Sequence, residues 1–369
     1  MDAAKARLVA ITPPFLLDET VYNTFAETPK LDRESPSPLP GWTFARNREN
    51  GEQLPQAIAH RGYRAQHPEN TMAAFRGAVE AGVHAIETDV HLTTDGVVVL
   101  SHDATLKRCF GRPDKIIDRD WGYVSEQRTI QAPHEQMPRL TDLLEYLAAP
   151  GNEKTWLLLD IKIDNDANNI MRLMAKAIED TSPNPRSPWN RRIVLGCWAA
   201  KFFPLAAQYF PGYSITNISF SPSYSRQFLR LPNVSFNILE LSLFGPGGSS
   251  FVRDAKAAGR PLFFWTVNDD AHMRWSIKQG ADGVITDDPK RFLEVCEEWE
   301  HGKRDVHFTR KQWGQIIWIN FMIIIFGCIF WWRFGALPGG KPTRPPAPSK
   351  PEERESGPGV SVTEHKEDQ

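Results

Sequence analysis

Eight side chains able to bind cations, move protons or hold anions recur in one kind of place, near the C-terminal end of a short apolar run. His60 and Arg61 close QAIAHRG, Glu87 and Asp89 lie in HAIETDV, His102 and Asp103 close GVVVLSHD, and Asp160 and Lys162 lie in TWLLLDIK. Residues two apart on a strand point to the same face, so Glu87 joins Asp89, and Asp160 joins Lys162. Three carboxylates, two imidazoles, an Arg and a Lys brought to one site cannot be buried without mutual compensation or a metal. Three oxygen ligands with room for water suit a hard divalent cation, Mg2+ or Ca2+. A zinc site built on His60 and His102 is the alternative. Two histidines beside a cation are suited to act as base and acid near neutral pH. Arg61 and Lys162 supply fixed positive charge for phosphoryl oxygens. The reaction class that uses all of these parts is phosphodiester cleavage. Singly, each residue has a plainer explanation: a core histidine, an N-cap at Asp103, a Lys162–Asp160 pair. Their recurrence at successive run ends is what argues for a site.

The runs need a scaffold that brings their ends together. From residue 55 onward, short β-type runs alternate with amphipathic helical stretches such as ENTMAAFRGAVEAG, DANNIMRLMAKAIED and AHMRWSIKQG. Strict alternation means βα units and a parallel sheet. A doubly wound open sheet would usually carry a Gly-rich phosphate loop after its first strand, and the first run here ends in His60-Arg61-Gly62 instead. Polar residues at strand after strand fit a TIM (β/α)8 barrel, whose active sites form at the C-terminal ends of the strands. Nine strand candidates are present, one too many, and either YSITNIS or VSFNILEL is expected to be the excursion.

The 369 residues suit one barrel with flanking segments. Residues 1–54 read as a Pro-rich, loosely ordered arm docked through Trp42 and Phe44. Residues 55–300 form the barrel, 301–312 a charged linker, 313–334 a membrane anchor and 335–369 a disordered Pro-rich tail. The anchor reading rests on the uncharged run IIWINFMIIIFGCIFWW over 316–332, flanked by Trp313 and by Arg333, which reads as a transmembrane or membrane-inserted helix with nothing left to pack against. With 43 basic and 45 acidic residues, the chain lacks the surplus of a nucleic-acid binder. Cys109, Cys197, Cys296 and Cys328 are scattered without metal-ligand spacing and read as free thiols of a reducing compartment. The N-terminal stretch, broken by Pro13 and Pro14, does not read as a signal peptide. The expectation is a cytosolic catalytic domain held at a membrane; organelle and oligomeric state are left open.

The blocks His60-Arg61-Gly62, Pro68-Glu69-Asn70-Thr71, Ile86-Glu87-Thr88-Asp89-Val90, Thr94-Asp95-Gly96 and His102-Asp103 together resemble the signature of glycerophosphodiester phosphodiesterases. Met137-Pro138, Trp265-Thr266-Val267-Asn268 and Ile285-Thr286-Asp287-Asp288-Pro289 are similar to further blocks of that family, in the right order. The resemblance covers about residues 55 to 300. It implies a TIM barrel with His60 and His102 as the acid–base pair and Glu87, Asp89 and the carboxylate of the fourth run as metal ligands. It further implies Arg61 and Lys162 as phosphate contacts and Trp265 as a wall for the substrate glycerol. One departure is that most members carry Glu where this chain has Asp160. Pro68-Glu69-Asn70-Thr71 reads as structural, with Asn70 or Thr71 capping the next helix.

Three features point to a lipid substrate: the apolar C-terminal segment, Phe110, Trp121 and Tyr123 in one loop, and Trp198, Phe202 and Phe203 in another. Aromatics exposed on active-site loops would let the barrel mouth enter headgroups. A barrel with one C-terminal anchor also resembles the fungal phosphatidylglycerol-specific phospholipase C type. That implies cleavage of phosphatidylglycerol to diacylglycerol and glycerol phosphate. Lysophospholipase D or hydrolysis of soluble glycerophosphodiesters are the nearest alternatives. A catalytically silent lipid-binding adaptor is a reading of another class, opposed by the intact histidine and carboxylate set.

Overall fold

The computed structural model describes residues 40–48, 51–184 and 186–337. The strands of the main sheet are β1 (Gln56–His60), β2 (Ala85–Leu92), β3 (Val98–Leu100), β4 (Trp156–Ile161), β5 (Ile193–Cys197), β6 (Ser214–Ser219), β7 (Ser235–Leu239), β8 (Leu262–Trp265) and β9 (Gly283–Thr286). Eight of them pair in parallel in the order β1–β2–β4–β5–β6–β7–β8–β9, and β9 returns to β1 to close a TIM-like barrel. Among the described residues, seven helices of eight residues or more surround it: α1 (Met72–Glu80), α2 (Leu140–Ala148), α3 (Ala167–Asp180), α4 (Phe202–Tyr209), α5 (Pro246–Ala257), α6 (Asp270–Lys278) and α7 (Pro289–Glu300). β6 is followed only by the short turns Pro222–Ser225 and Arg226–Arg230. Each long helix turns an apolar stripe inward; α2 buries Leu140, Leu143, Leu144 and Leu147, and α3 buries Ile170, Met171, Met174 and Ile178. These seal the outer strand faces into the main core. Burying one such side chain contributes roughly 1.5–3 kcal/mol.

The inner strand face has its own small core of Ile58, Ala85, Trp156, Leu158, Val194, Ile218, Phe263 and Ile285. Stepping two residues toward the C-terminal ends, the same face becomes polar: Ile58 leads to His60, Ala85 to Glu87 and Asp89, Leu158 to Asp160, and Ile285 to Asp287. The period-two pattern thus places an apolar plug at the base and ionisable groups at the top. The base is covered by residues 40–47: Gln56 donates to the carbonyls of Trp42 and Phe44, both at 2.8 Å, and Trp42 packs edge-on against Trp156.

The ninth strand candidate is β3, which folds back antiparallel on the end of β2. YSITNIS and VSFNILEL are both barrel staves, as β6 and β7. The misreading has a physical cause: GVVVLSHD is apolar and β-branched, and Thr94-Asp95-Gly96 before it forms a tight reversal with Gly96 at φ 80°, too short for a parallel crossover. His102 therefore reaches the site from a hairpin.

The C-terminal segment also differs from expectation. Among the described residues, no helix is long and apolar enough to cross a membrane. Residues Arg310–Phe334 form α8, started by a Thr309/Gln312 capping box, and α8 lies along the barrel. Its inner face buries Ile316 and Ile319; Asn320 donates to the carbonyl of Leu241 at 2.9 Å, and Trp331 and Phe334 pack on Tyr224. Trp313 packs on Phe244. Leu241 and Tyr224 follow the C-terminal ends of β7 and β6, so α8 packs beside that end of the barrel on the side of these two strands. The segment does have a partner: the short turns that follow β6 and β7, of which only those after β6 stand in place of a long helix. Ile317, Phe321 and Ile324, at 67, 52 and 77 % exposure, form its outer face. Phe202 and Phe203, expected on an exposed loop, are buried in the core. Cys109, Cys197 and Cys296 are free thiols. Most of the expected arm and tail, and the side chain of Cys328, lie outside the described residues.

Candidate active site

The site begins with register. Asp89 on β2 stands opposite Asp160 on β4, and Glu87 opposite His60 on β1. One oxygen from each of Glu87, Asp89 and Asp160 lies within 4.8 Å of the others, and all three residues are buried. Lys162 Nζ bonds Asp89 Oδ1 and Asp160 Oδ2, each at 2.7 Å, and Arg61 Nε lies 3.2 Å from Asp89 Oδ2. Burial drives the Asp89 carboxyl upward, but Lys162 and Arg61 outweigh it and hold it well below its ordinary range. Glu87 goes the other way: burial, then the charges of Asp89 and Asp160, push it well above. Asp160 is raised too, by burial against the pull of Lys162. Two cations facing three carboxylates leave one negative charge uncompensated, and Glu87 registers it. The donor set, all oxygen and short of positive charge, fits a divalent cation.

Arg61 sits in a strained loop, at φ 58°, followed by Gly62 at φ 79°. A Cβ at Gly62 would come within 2.7 Å of the backbone of Ala74, so only glycine lets this loop lie against α1. Glu69 is its anchor, pairing with Arg61 at 2.8 Å, Arg64 at 3.0 Å and Arg108 at 2.7 Å. Asn70 donates to Asp89 Oδ2 at 2.8 Å and accepts from Thr88 at 2.7 Å, while Thr71 caps α1. The Pro68–Thr71 block therefore does more than end a loop: Glu69 and Asn70 hold Arg61 and Asp89. Arg61 Nε is buried beside Asp89 Oδ2 at 3.2 Å, an ion pair without the geometry of a hydrogen bond.

Each histidine has a carboxylate behind it. His60 Nδ1 is 2.5 Å from Asp287 Oδ1, and His102 Nδ1 is 2.9 Å from Asp103 Oδ1. Asn268 and Arg64 donate to Asp287, and Arg108 donates to Asp103. A carboxylate accepting Nδ1–H leaves Nε2 as the free base. Burial, then Arg61, lowers the pKa of His60 against the opposing pull of Asp287. Burial, then Arg61 and Lys162, takes His102 down to about 3. Both shifts favour the neutral imidazole in the absence of a bound phosphodiester.

Trp265 stands at the end of β8, its indole N–H on the carbonyl of Asn237 at 3.1 Å, edge-on to Trp198 with centroids 5.6 Å apart. The two rings form one wall beside the carboxylates. Of the residues singled out from sequence, Glu87, Asp89, Asp160, Arg61 and Lys162 share one buried, directly bonded cluster. The charges of Arg61, Asp89 and Lys162 act on His102, and that of Arg61 acts on His60.

The sequence pattern of the glycerophosphoryl diester phosphodiesterase family matches residues 60–291. The chain belongs to this family. Among curated relatives, lysophospholipase D GDPD1 of Homo sapiens is 27% identical, the match covering 70% of this chain and 91% of that protein. A glycerophosphodiester phosphodiesterase of Caldanaerobacter subterraneus subsp. tengcongensis is also 27% identical, over 65% of this chain and 97% of its own. The barrel superposes on an Oleispira antarctica phosphodiesterase solved with the product sn-glycerol-3-phosphate. That match has TM-score 0.58 and 23% identity, covering 66% of this chain and 97% of that one. Family phosphodiesterases are hydrolases of glycerophosphodiesters that use a divalent metal, and Glu87, Asp89 and Asp160 are the residues here that would hold it.

Asp287, Glu69, Asn70 and Trp198 carry contacts that sequence reading did not assign. Asp287 follows Ile285 by two residues on the inner face, so the period-two rule could have found it. Glu69 and Asn70 sit in a loop, where no periodicity points.

Proposed function

We propose that this glycerophosphodiester phosphodiesterase acts on a glycerol-containing phospholipid at a membrane surface, cleaving phosphatidylglycerol to diacylglycerol and glycerol phosphate. The observation that carries the reading is α8: its apolar outer face, with Ile317, Phe321 and Ile324, borders the end of the barrel that holds the carboxylates and histidines. Large exposed apolar faces mark interaction sites, and an interfacial helix buries such a face in the headgroup–acyl boundary. Membrane attachment through 313–334 is in this reading in-plane, with α8 still docked.

When bound, a divalent cation polarises a phosphoryl oxygen as a Lewis acid. Arg61 and Lys162 supply the remaining positive charge for the phosphodiester. One imidazole of the His60/His102 pair, neutral with Nε2 free, takes the proton of the headgroup's 2-hydroxyl as that oxygen attacks phosphorus; the other, protonated at Nε2 beside the phosphodiester's negative charge, gives that proton to the departing diacylglycerol oxygen. Water then opens the cyclic glycerol phosphate with the roles reversed. Asp287 and Asp103 keep both Nε2 atoms aimed and in the right tautomer. An intramolecular hydroxyl needs little activation, since effective molarities of well-placed groups reach roughly 10⁵ M or more. Trp198 and Trp265 offer a wall for the glycerol.

A second reading, lysophospholipase D, is favoured by the name of the human relative. It uses the same step, with the lysolipid's own 2-hydroxyl attacking and the headgroup alcohol leaving. The test is to incubate the protein with vesicles of phosphatidylglycerol, with lysophosphatidylcholine and with glycerophosphocholine, and to identify the products. Diacylglycerol and glycerol phosphate from the first support the proposal. Lysophosphatidic acid from the second alone supports the other reading, and turnover of glycerophosphocholine alone removes the lipid.

A further inference from the structure

Both oxygens of Asp160 are already engaged in the protein. Lys162 Nζ donates to Oδ2 at 2.7 Å, and the indole N–H of Trp198 donates to Oδ1, also at 2.7 Å. Among the described indoles whose N–H is bonded, those of Trp156, Trp189 and Trp265 donate elsewhere, so Trp198 alone touches a candidate cation ligand. Its ring also lies 6.0 Å from Lys162 Nζ, and its edge meets Trp265. The position follows from β5: Gly196 stands opposite Asp160, and two residues on, Trp198 emerges over the same inner end. A Cβ at Gly196 would lie 2.6 Å from Ile218 and 2.9 Å from the carbonyl of Leu159, so the strand packs tightly there and the indole is delivered from a rigid base.

We infer that Trp198 is a positioning residue of the cation site: its N–H fixes the plane of the Asp160 carboxylate, so that the free lone pairs face Glu87 and Asp89. A hydrogen-bonded carboxylate is pre-aimed, whereas a free one must be ordered when the ion binds. Loss of such a partner typically weakens metal binding 10- to 100-fold. The indole also makes the site specific for aspartate. A glutamate at 160 is one methylene longer and would drive its carboxylate into Trp198 and Lys162, whereas a phenylalanine at 198 leaves room where the pyrrole N–H was. The effects of Trp198→Phe and Asp160→Glu must therefore be coupled.

The test is calorimetric titration of Mg2+ and Mn2+ into the full chain for the wild type, Trp198→Phe, Asp160→Glu and the double variant, with melting of the metal-free proteins alongside. The expected result is a 10- to 100-fold weaker Kd for each single variant and a double variant tighter than the product of the two losses. A purely structural role for Trp198 would lower the metal-free melting point and leave the losses multiplicative, and that outcome overturns the inference. Unchanged affinity in Trp198→Phe overturns it as well, while failure of the wild type to bind any cation overturns the cation reading on which it rests. Should Trp198→Phe not fold, wild-type protein carrying ¹⁵N in its indoles decides. An indole N–H resonance must move on adding Mg2+ and saturate with the calorimetric Kd, and a spectrum in which none moves refutes the role.

Discussion

Replacing Asp287 with Asn changes one atom and leaves the packing of β9 intact, yet it should cost most of the activity. Asp287 Oδ1 faces His60 Nδ1 at 2.5 Å, while Oδ2 accepts from Asn268 at 2.9 Å and Arg64 at 3.3 Å. An amide cannot serve both sides. With its oxygen toward Asn268 and Arg64, its NH2 meets His60 Nδ1 and forces the proton onto Nε2, the wrong tautomer for a base. Turned over, the amide faces two donors with a third. Positioned proton transfer contributes about 10²–10⁴-fold, so kcat should fall by that factor, roughly 3–5 kcal/mol in the barrier. The pH profile gives an independent sign. The Asp287 hydrogen bond and charge raise the pKa of His60 against burial and Arg61, so their loss moves the acid limb of kcat/KM to lower pH. Stability should change little: about 1 kcal/mol, or 2–4 °C in melting point for a barrel of this size. The assay is product release from a glycerophosphodiester between pH 4 and 9, beside His60→Ala. An Asp287→Asn enzyme within threefold of wild type, with His60→Ala inactive, would refute the orienting role.

Other expectations follow from the same geometry. His102→Ala should lower turnover by a hundredfold or more and also change acid stability. With the folded pKa near 3 against an ordinary 6.5, the unfolded chain binds the proton first, so wild-type stability falls as pH drops from 6.5 toward 3. The variant should lose that slope, at most about 1.4 kcal/mol per pH unit, in urea titrations at stepped pH. Asn70→Ala removes the 2.8 Å bond to Asp89 and should raise the Mg2+ concentration for half-maximal rate about tenfold or more, without altering the fold seen by circular dichroism. Ile324→Asp on the outer face of α8 should abolish flotation with phosphatidylglycerol vesicles yet keep activity on soluble glycerophosphodiesters; retained flotation would remove that face from the membrane reading. Truncation before Trp313 is a poorer experiment, because it strips the cover from Tyr224 and Phe244.

The barrel and its charged end were legible because both obey short periods. Ile58 and His60, or Leu158 and Asp160, differ by one step of two on one strand face, and that step separates core from chemistry. What escaped depended on contacts distant in sequence. Whether Val98–Leu100 runs with the barrel or against it is decided by a reversal at Gly96, which apolar content does not encode. The apolar run over 316–332 looks the same whether it meets lipid or protein; only folding reveals Tyr224, Leu241 and Phe244 waiting for one of its faces. Trp198 belonged to a loop of aromatics that read as membrane-facing, but Phe202 and Phe203 point into the core and the indole turns to Asp160. Asp160 itself, shorter than its usual counterpart, fits because Trp198 and Lys162 bracket it.

The central claim is that the buried Glu87–Asp89–Asp160 cluster holds a divalent cation without which the two histidines do not cleave a phosphodiester. Its most direct test is ³¹P NMR of glycerophosphodiester turnover by exhaustively chelated protein, before and after adding back Mg2+ or Ca2+, with Asp89→Asn as control. The expected spectrum shows no product after chelation, glycerol phosphate within minutes of adding one of these ions, and none from Asp89→Asn under either condition. Undiminished turnover in excess chelator would contradict the account.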